Sequence, residues 1–429
     1  MDTVSKTKTT MFPDTVRFFV SMLVASCLVP NLLPAQSNAE LLARMKAMED
    51  RIRSLEAEVQ TLKARPAETV AAAPAPPPPP PAAPVTPAVP VAPAPAPVYG
   101  GAGAAAATVF NPDISVIGDF LGAAGNGSAR PTPAFEMHES EVGFQAIIDP
   151  YARADFFITF GEQGVSLEEG YLTFTALPGG LQLKAGKMRA AFGKVNTLHN
   201  HVLPWTDRPL VTANLVGGED GVNDAGLSLS RILPAPKQIF LEATGQIFRG
   251  DSEGVFHSYR RSDVSTVGHL RAYRDISEST NIDLGGSYAR GHSPLFASSM
   301  NQLFGMDATV HWKPLRRAIY HSFVGRSELI WGRAQQATFT NQSFGYYVSG
   351  EYQLGRRWFT GARFDRSSRL NQPNLLDTGG SLLLTYWPSE FSQIRGQLRR
   401  TRYGGVSGTA NELLFQLMFS MGAHGAHPF

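Results

Sequence analysis

Leu413-Leu414-Phe415-Gln416-Leu417-Met418-Phe419-Ser420-Met421 decides the fold. In an extended chain, side chains alternate between two faces. Leu413, Phe415, Leu417, Phe419 and Met421 share one face. Leu414, Gln416, Met418 and Ser420 share the other. The stretch matches the roughly 9–11 tilted residues with which a strand crosses a bilayer. The same pattern recurs upstream. Residues 151–161 set Ala152, Ala154, Phe156, Ile158 and Phe160 against Arg153, Asp155 and Thr159. Residues 303–313 set Phe304, Met306, Ala308, Val310 and Trp312 against Asp307, Thr309, His311 and Lys313.

From residue 111 onward this alternation repeats in segment after segment. The expected fold is all-β: a transmembrane antiparallel β-barrel of about 16 strands, with roughly 14 to 18 compatible with the length, spanning residues 108–429. A soluble sandwich also alternates, but two further features favour the membrane. Aromatics gather near segment ends (Tyr151, Phe160, Tyr288, Trp312, Trp331, Trp358 and Trp387), as at membrane–water interfaces. The connections also alternate in length: 149–150, 177–180 and 275–278 are short, while 121–133, 194–221, 250–262 and 291–301 are long. The short link 161–164 breaks the rule. An even strand number closes the sheet without edges and puts both ends of the barrel on the periplasmic side.

Alternation also accounts for the composition. Charged residues are only 17% of 429, with 41 Gly and 26 Phe, yet mean hydropathy is just −0.12. Apolar residues spread over one face of many strands never build a run long enough for a helical span. A net charge of +2 gives no case for nucleic acid as a partner. The single cysteine, Cys27, excludes a disulfide framework and any Cys-built metal site.

Residues 1–37 read as an export signal: Lys6, Lys8 and Arg17 precede a short apolar core, and Ala35 and Ser37 suit cleavage. Val24-Ala25-Ser26-Cys27 also fits a lipidation motif, which leaves the fate of Cys27 open. Residues 38–64 carry a heptad, with Met45, Ile52 and Val59 at a and Leu41, Met48, Leu55 and Leu62 at d, so a coiled coil is expected. Residues 65–107 are a Pro/Ala-rich linker that favours extended polyproline II and cannot build a core.

If the apolar face meets lipid, the other face lines a lumen. Parity assigns Glu141, Asp155 and Glu169 to an acidic wall on early strands. Arg357, Arg363, Arg395 and Arg399 form a basic wall on strands thirteen and fifteen. Facing walls of opposite sign would set a transverse field. The longest connection, 194–221, follows strand five and contains His199, His201, Trp205, Asp207, Arg208, Glu219 and Asp220. A loop of this length in a barrel is expected to be functional, here as the constriction. His199-x-His201 with Asp207 has the donor types of a metal site. Two histidines at that spacing in a loop are non-specific, so no metal or cofactor is assigned.

The run Leu183-Lys184-Ala185-Gly186-Lys187 through Phe192-Gly193-Lys194 resembles the strand-five segment of Gram-negative porins of the phosphate-selective O and P type. The order of signal, short coiled coil, linker and barrel is similar too. Asn196-x-x-His199-x-His201-x-x-Pro204-x-x-Asp207-x-Pro209 resembles a related set of barrels labelled zinc-regulated or receptor-like. The terminal Phe429 resembles outer-membrane assembly signals, although residues 423–428 are poor strand sequence and Phe419 is the alternative. The resemblance implies a homotrimeric porin in the outer membrane, in contact with the lipid bilayer, with its coiled coil in the periplasm. Phosphate selectivity is not carried over, because the early strands lack a dense arginine ladder.

The expected function is passive diffusion of small hydrophilic solutes or ions through a water-filled barrel. The alternatives are an envelope tether, in which the coiled coil reaches peptidoglycan, and a metal- or substrate-specific channel. No enzyme is expected: the sequence holds no nucleophile–base constellation, phosphate-cradling glycine loop or zinc helix motif.

Overall fold

The computed structural model describes residues 112–422, except 128, 131, 163 and 237, together with Lys46. The expected signal, coiled coil and linker, with Cys27 and Phe429, lie outside the described residues.

Sixteen antiparallel strands follow one another around a closed barrel. They are β1 (Asp113–Gly125), β2 (Phe135–Asp149), β3 (Ala152–Gly161), β4 (Gly164–Leu177) and β5 (Leu181–Arg189). Then come β6 (Asn223–Ile232), β7 (Ile239–Phe248), β8 (Ser265–Ser277), β9 (Thr280–His292) and β10 (Met300–Trp312). The circuit continues with β11 (Phe323–Gln335), β12 (Thr340–Gly355), β13 (Trp358–Ser368), β14 (Leu376–Ser389), β15 (Ser392–Arg402) and β16 (Ala410–Gly422). β1 pairs with β16 from Ser115↔Gly422 to Gly125↔Glu412, so no edge strand is left open.

The alternation is borne out in β16. Leu413, Phe415, Leu417, Phe419 and Met421 are 37–56% exposed on the outer wall, while Leu414, Gln416, Met418 and Ser420 are 1–8% exposed inside. At the closing seam Gly118 pairs with Phe419. A Cβ on Gly118 would lie 2.3 Å from the Phe419 ring, so glycine there lets the ring lie across β1. Aromatics form an outer belt: Tyr288, Phe304, Trp331 and Phe344 occupy successive partner positions on β9 to β12. Trp358 and Tyr386 pack at 4.5 Å near the opposite rim. Such belts suit the two interfaces of a bilayer.

Most connections on the side of the barrel's ends are tight, as expected, but 313–322 is longer. On the other side, 336–339 joins 161–164 as a short link. The connection 190–222 turns into the barrel. It carries one α-helix, α1 (Leu210–Leu215), after two short 3-10 turns (Val195–Thr197 and Asn200–Val202), and its chain packs with inward strand residues. Met188, Phe192, Val195, Trp205, Leu215, Phe256, Leu303, Ile330 and Tyr347 belong to one buried apolar cluster. The core of this molecule therefore lies inside the ring.

Candidate functional site: a strap across the barrel interior

Residues 190–222, here called the strap, leave β5 and return to β6. Asn196 closes its neck: the side-chain amide donates to the carbonyls of Ala190 and Val222 and accepts from the Val222 N–H, at 2.9–3.1 Å. The strap then crosses the ring. The N–H groups of Lys194 and Val195 both donate to Glu328 of β11 at 2.7 Å. Gly193 enters this contact with φ +62°, and a Cβ there would come 2.9 Å from the Glu328 carboxylate. That conformation and that clearance both require glycine. Lys194 Nζ reaches Asp283 of β9 at 2.9 Å. A chain that touches strands on opposite arcs of a closed ring lies within it.

Two charged anchors fix the strap. At the first, His199 Nδ1 sits 2.6 Å from Glu141 of β2, and Nε2 sits 2.7 Å from Glu169 of β4. Burial alone would favour neutral His199, but these hydrogen bonds and the nearby Glu168 outweigh it and push its pKa up to about 10. His201 stands beside it, with ring centroids 5.6 Å apart. Arg189 donates its backbone N–H to Glu169 at 2.7 Å and pairs its side chain with Glu168.

At the second anchor, Asp207 accepts from Arg363 of β13 and Arg399 of β15 at 2.9 Å, and from Gln397 at 2.6 Å. Burial opposes ionisation of Asp207, but the two guanidinium groups prevail and hold its carboxyl down at about 2. Arg395 donates to the Leu203 carbonyl at 2.9 Å. Trp205 packs edge-on against Tyr347 and lies under the Arg363 guanidinium, 5.0 Å from the ring centroid. Leu210 at the start of α1 donates its N–H to Asp365.

The sequence expectations need several corrections. Asp207 does not join His199 and His201, because two buried arginines claim it. Arg357 is on no strand: β13 starts at Trp358, and Arg357 is exposed in the preceding turn, from which it lines the interior cavity. Asp155 faces inward but is held by Arg153 at 2.6 Å and Gln145 at 3.0 Å, away from the strap. Glu219 and Asp220 act through their carbonyls, which accept from Arg189. Arg208 braces the strap internally, donating to Asn200 and to the carbonyls of Val195 and Leu198. Burial, with Arg189 near, draws its pKa down to about 9.

Two acidic residues escaped the sequence reading. Glu168 is inward because a β-bulge in β4 breaks parity: Phe157 pairs with Glu169, and Ile158 with Leu167. The extra residue turns both glutamates to the interior. Glu139 had a signal, since it shares the parity of Glu141. Below the strap, toward the barrel ends, lies a cavity of about 1160 Å3. Its lining includes six lysine or arginine side chains, Arg271, Arg326 and Arg395 among them, against three carboxylates.

No family model matches the chain. A protein of Aquifex aeolicus (strain VF5) described only as uncharacterized is 28% identical over 351 residues, covering 71% of this chain and 72% of that one. The anion-selective porin from Comamonas acidovorans superposes with a TM-score of 0.51 at 8% identity, covering 72% of this chain and 99% of that one. The outer-membrane channel DcaP of Acinetobacter baumannii gives 0.50 at 12% identity, covering 72% and 96%. OmpT of Vibrio cholerae gives 0.50 at 8%, covering 72% and 97%. At such identities the likeness is one of fold: the chain shares the closed sixteen-stranded barrel of these proteins.

Proposed function

We propose that the barrel conducts small hydrophilic solutes passively, with the strap at its narrowest level. One observation carries this reading. A segment anchored on opposite arcs of the ring spans the interior above a wide cavity lined by charged side chains. The excess of basic over acidic groups in that cavity favours anions, since fixed charges in a low-dielectric wall attract counter-ions. Under this reading the protein sits in the outer membrane as a homotrimer and performs no covalent chemistry. Its N-terminal heptads extend into the periplasm, where contact with peptidoglycan is a further element of the proposal.

Planar-bilayer recording of the purified protein tests it. Stepwise channels with a reversal potential leaning toward anions are expected in a salt gradient. Complete absence of steps overturns the reading. Deleting residues 198–216 removes both anchors and α1 and is expected to raise unit conductance several-fold. An unchanged value would mean that the strap is not the narrowest point.

A further inference from the structure

The first anchor holds more donor atoms than a hydrogen-bonded histidine needs. Glu141, His199 and His201 each offer one ligand atom, and these lie within 4.8 Å of one another; so do atoms of Glu139, Glu141 and Glu168. Glu141 belongs to both groups and joins them. They are well buried: Glu141, Glu168, His201 and Glu139 are 2%, 5%, 5% and 8% exposed. Glu139 Oε2 and Glu168 Oε2 are both buried without a hydrogen-bond partner.

A buried carboxylate oxygen facing another needs either a proton or a cation between them. Charge argues for the cation. Glu139, Glu141, Glu168 and Glu169 bring four carboxylates to this corner. Arg189 pairs with Glu168, and His199 lies between Glu141 and Glu169. Arg208, the other cation nearby, gives its hydrogen bonds to Asn200 and two carbonyls. Three cations thus face four carboxylates, and none donates to either orphaned oxygen, although His199 Nδ1 lies 3.8 Å from Glu168 Oε2.

We propose that Glu141, Glu168, His199 and His201, backed by Glu139, bind one divalent metal ion of the borderline class that takes mixed imidazole and carboxylate ligands, such as Zn2+. The spacing suits it. His201 Nδ1 lies 3.8 Å from Glu141 Oε2, and His199 Nδ1 lies 3.8 Å from Glu168 Oε2, while the 2.6 Å hydrogen bond between His199 Nδ1 and Glu141 Oε2 opens as the ion takes the place of its proton. Ligands about 2.0–2.2 Å from a common ion stand near these separations. Glu169 supplies the outer partner. Its contact with His199 Nε2 lets that nitrogen donate while Nδ1 turns to the ion, the carboxylate–histidine–metal arrangement that fixes tautomer and ring angle. The ion would tie strands β2 and β4 to the strap, and the site stands independently of whether the barrel conducts.

The full-length protein is stripped with a chelator, folded in detergent and titrated with Zn2+ by calorimetry, with bound metal counted by mass spectrometry. One ion per chain is expected. His201→Ala is expected to weaken binding by roughly 10–100-fold, and Glu168→Gln to do likewise. His257→Ala, at an exposed histidine on another loop, is expected to change nothing. Folding of each variant is checked by its heat-dependent mobility on a gel. Co2+ absorption gives a second readout in any folded variant: visible bands of nitrogen–oxygen coordination in the parent, lost in His201→Ala. Sub-stoichiometric uptake overturns the site and leaves a shared proton between Glu139 and Glu168. So does binding that persists unweakened in the folded double variant His201→Ala, Glu141→Gln.

Discussion

The two anchors of the strap do the same job with opposite electrostatics. At the Asp207 anchor the charges close on themselves. Both oxygens of Asp207 are held, Arg363 also reaches Asp365 at 2.7 Å, and Arg399 also reaches Glu412 at 2.7 Å. At the His199 anchor four carboxylates crowd around too few cations, and two oxygens have no donor. In the first every carboxylate is held by a guanidinium, and in the second two carboxylate oxygens are left without a donor. A loop can thus be pinned inside a barrel by a satisfied site and by an unsatisfied one at the same time. Only the second leaves carboxylate oxygens free to accept another donor or ion.

Substitutions of opposite sign follow from that contrast. Asp207→Ala leaves two guanidinium groups buried against the remaining carboxylates and without the strap. Breaking one partner of such a pair costs about 3–5 kcal/mol. Lower resistance to denaturant and noisier, larger conductance are expected. A variant as stable as the parent, with quiet channels, would show that the satisfied network is not what holds the strap.

At the other anchor, taking away an acidic group should help. Glu139→Gln gives Glu168 Oε2 a donor that needs no proton from solution. Satisfying a buried acceptor is worth about 1–3 kcal/mol. The metal-free variant is therefore expected to withstand more denaturant than the metal-free parent. Loss of stability on that change would mean that the excess of negative charge is already compensated in the metal-free protein.

Much of this was legible in the residues. Period two in 413–421 carried the wall, because a strand between lipid and lumen has no other way to satisfy both faces. Parity also placed Glu141, Arg363, Arg395 and Arg399 inward, since each sits in a regular stretch of strand, and it placed Glu169, at the edge of a bulge. It missed Glu168 because one bulge shifts the register by a residue, and bulges leave no period to read. It put Arg357 on strand thirteen, whereas Arg357 sits in the turn before that strand and still lines the cavity. Partner choice was the least legible. Asp207 lies close in sequence to His199 and His201, and spacing grouped the three. The crossing of the strap then carried Asp207 to arginines more than 150 positions away in the chain.

Acidification gives the smallest and most local test of the satisfied anchor. The Asp207 carboxyl is held at about 2 in the folded protein, below its ordinary 3.8, by Arg363 and Arg399. A depressed folded pKa contributes stability that is present in full above the unfolded value and lost as pH falls through the folded one. The anchor should therefore be indifferent to pH from 7 down to 4 and let go only between about 4 and 2. Trp205 reports it, since its ring lies against Arg363. In a variant that keeps Trp205 and replaces the other four tryptophans by phenylalanine, emission should hold steady to pH 4 and change below it. Adding Asp207→Asn should abolish that late change, because the titrating group is gone. Release at pH 5 or above, or an identical transition in the asparagine variant, would assign the change to other carboxylates of the wall and remove Asp207 as the pin.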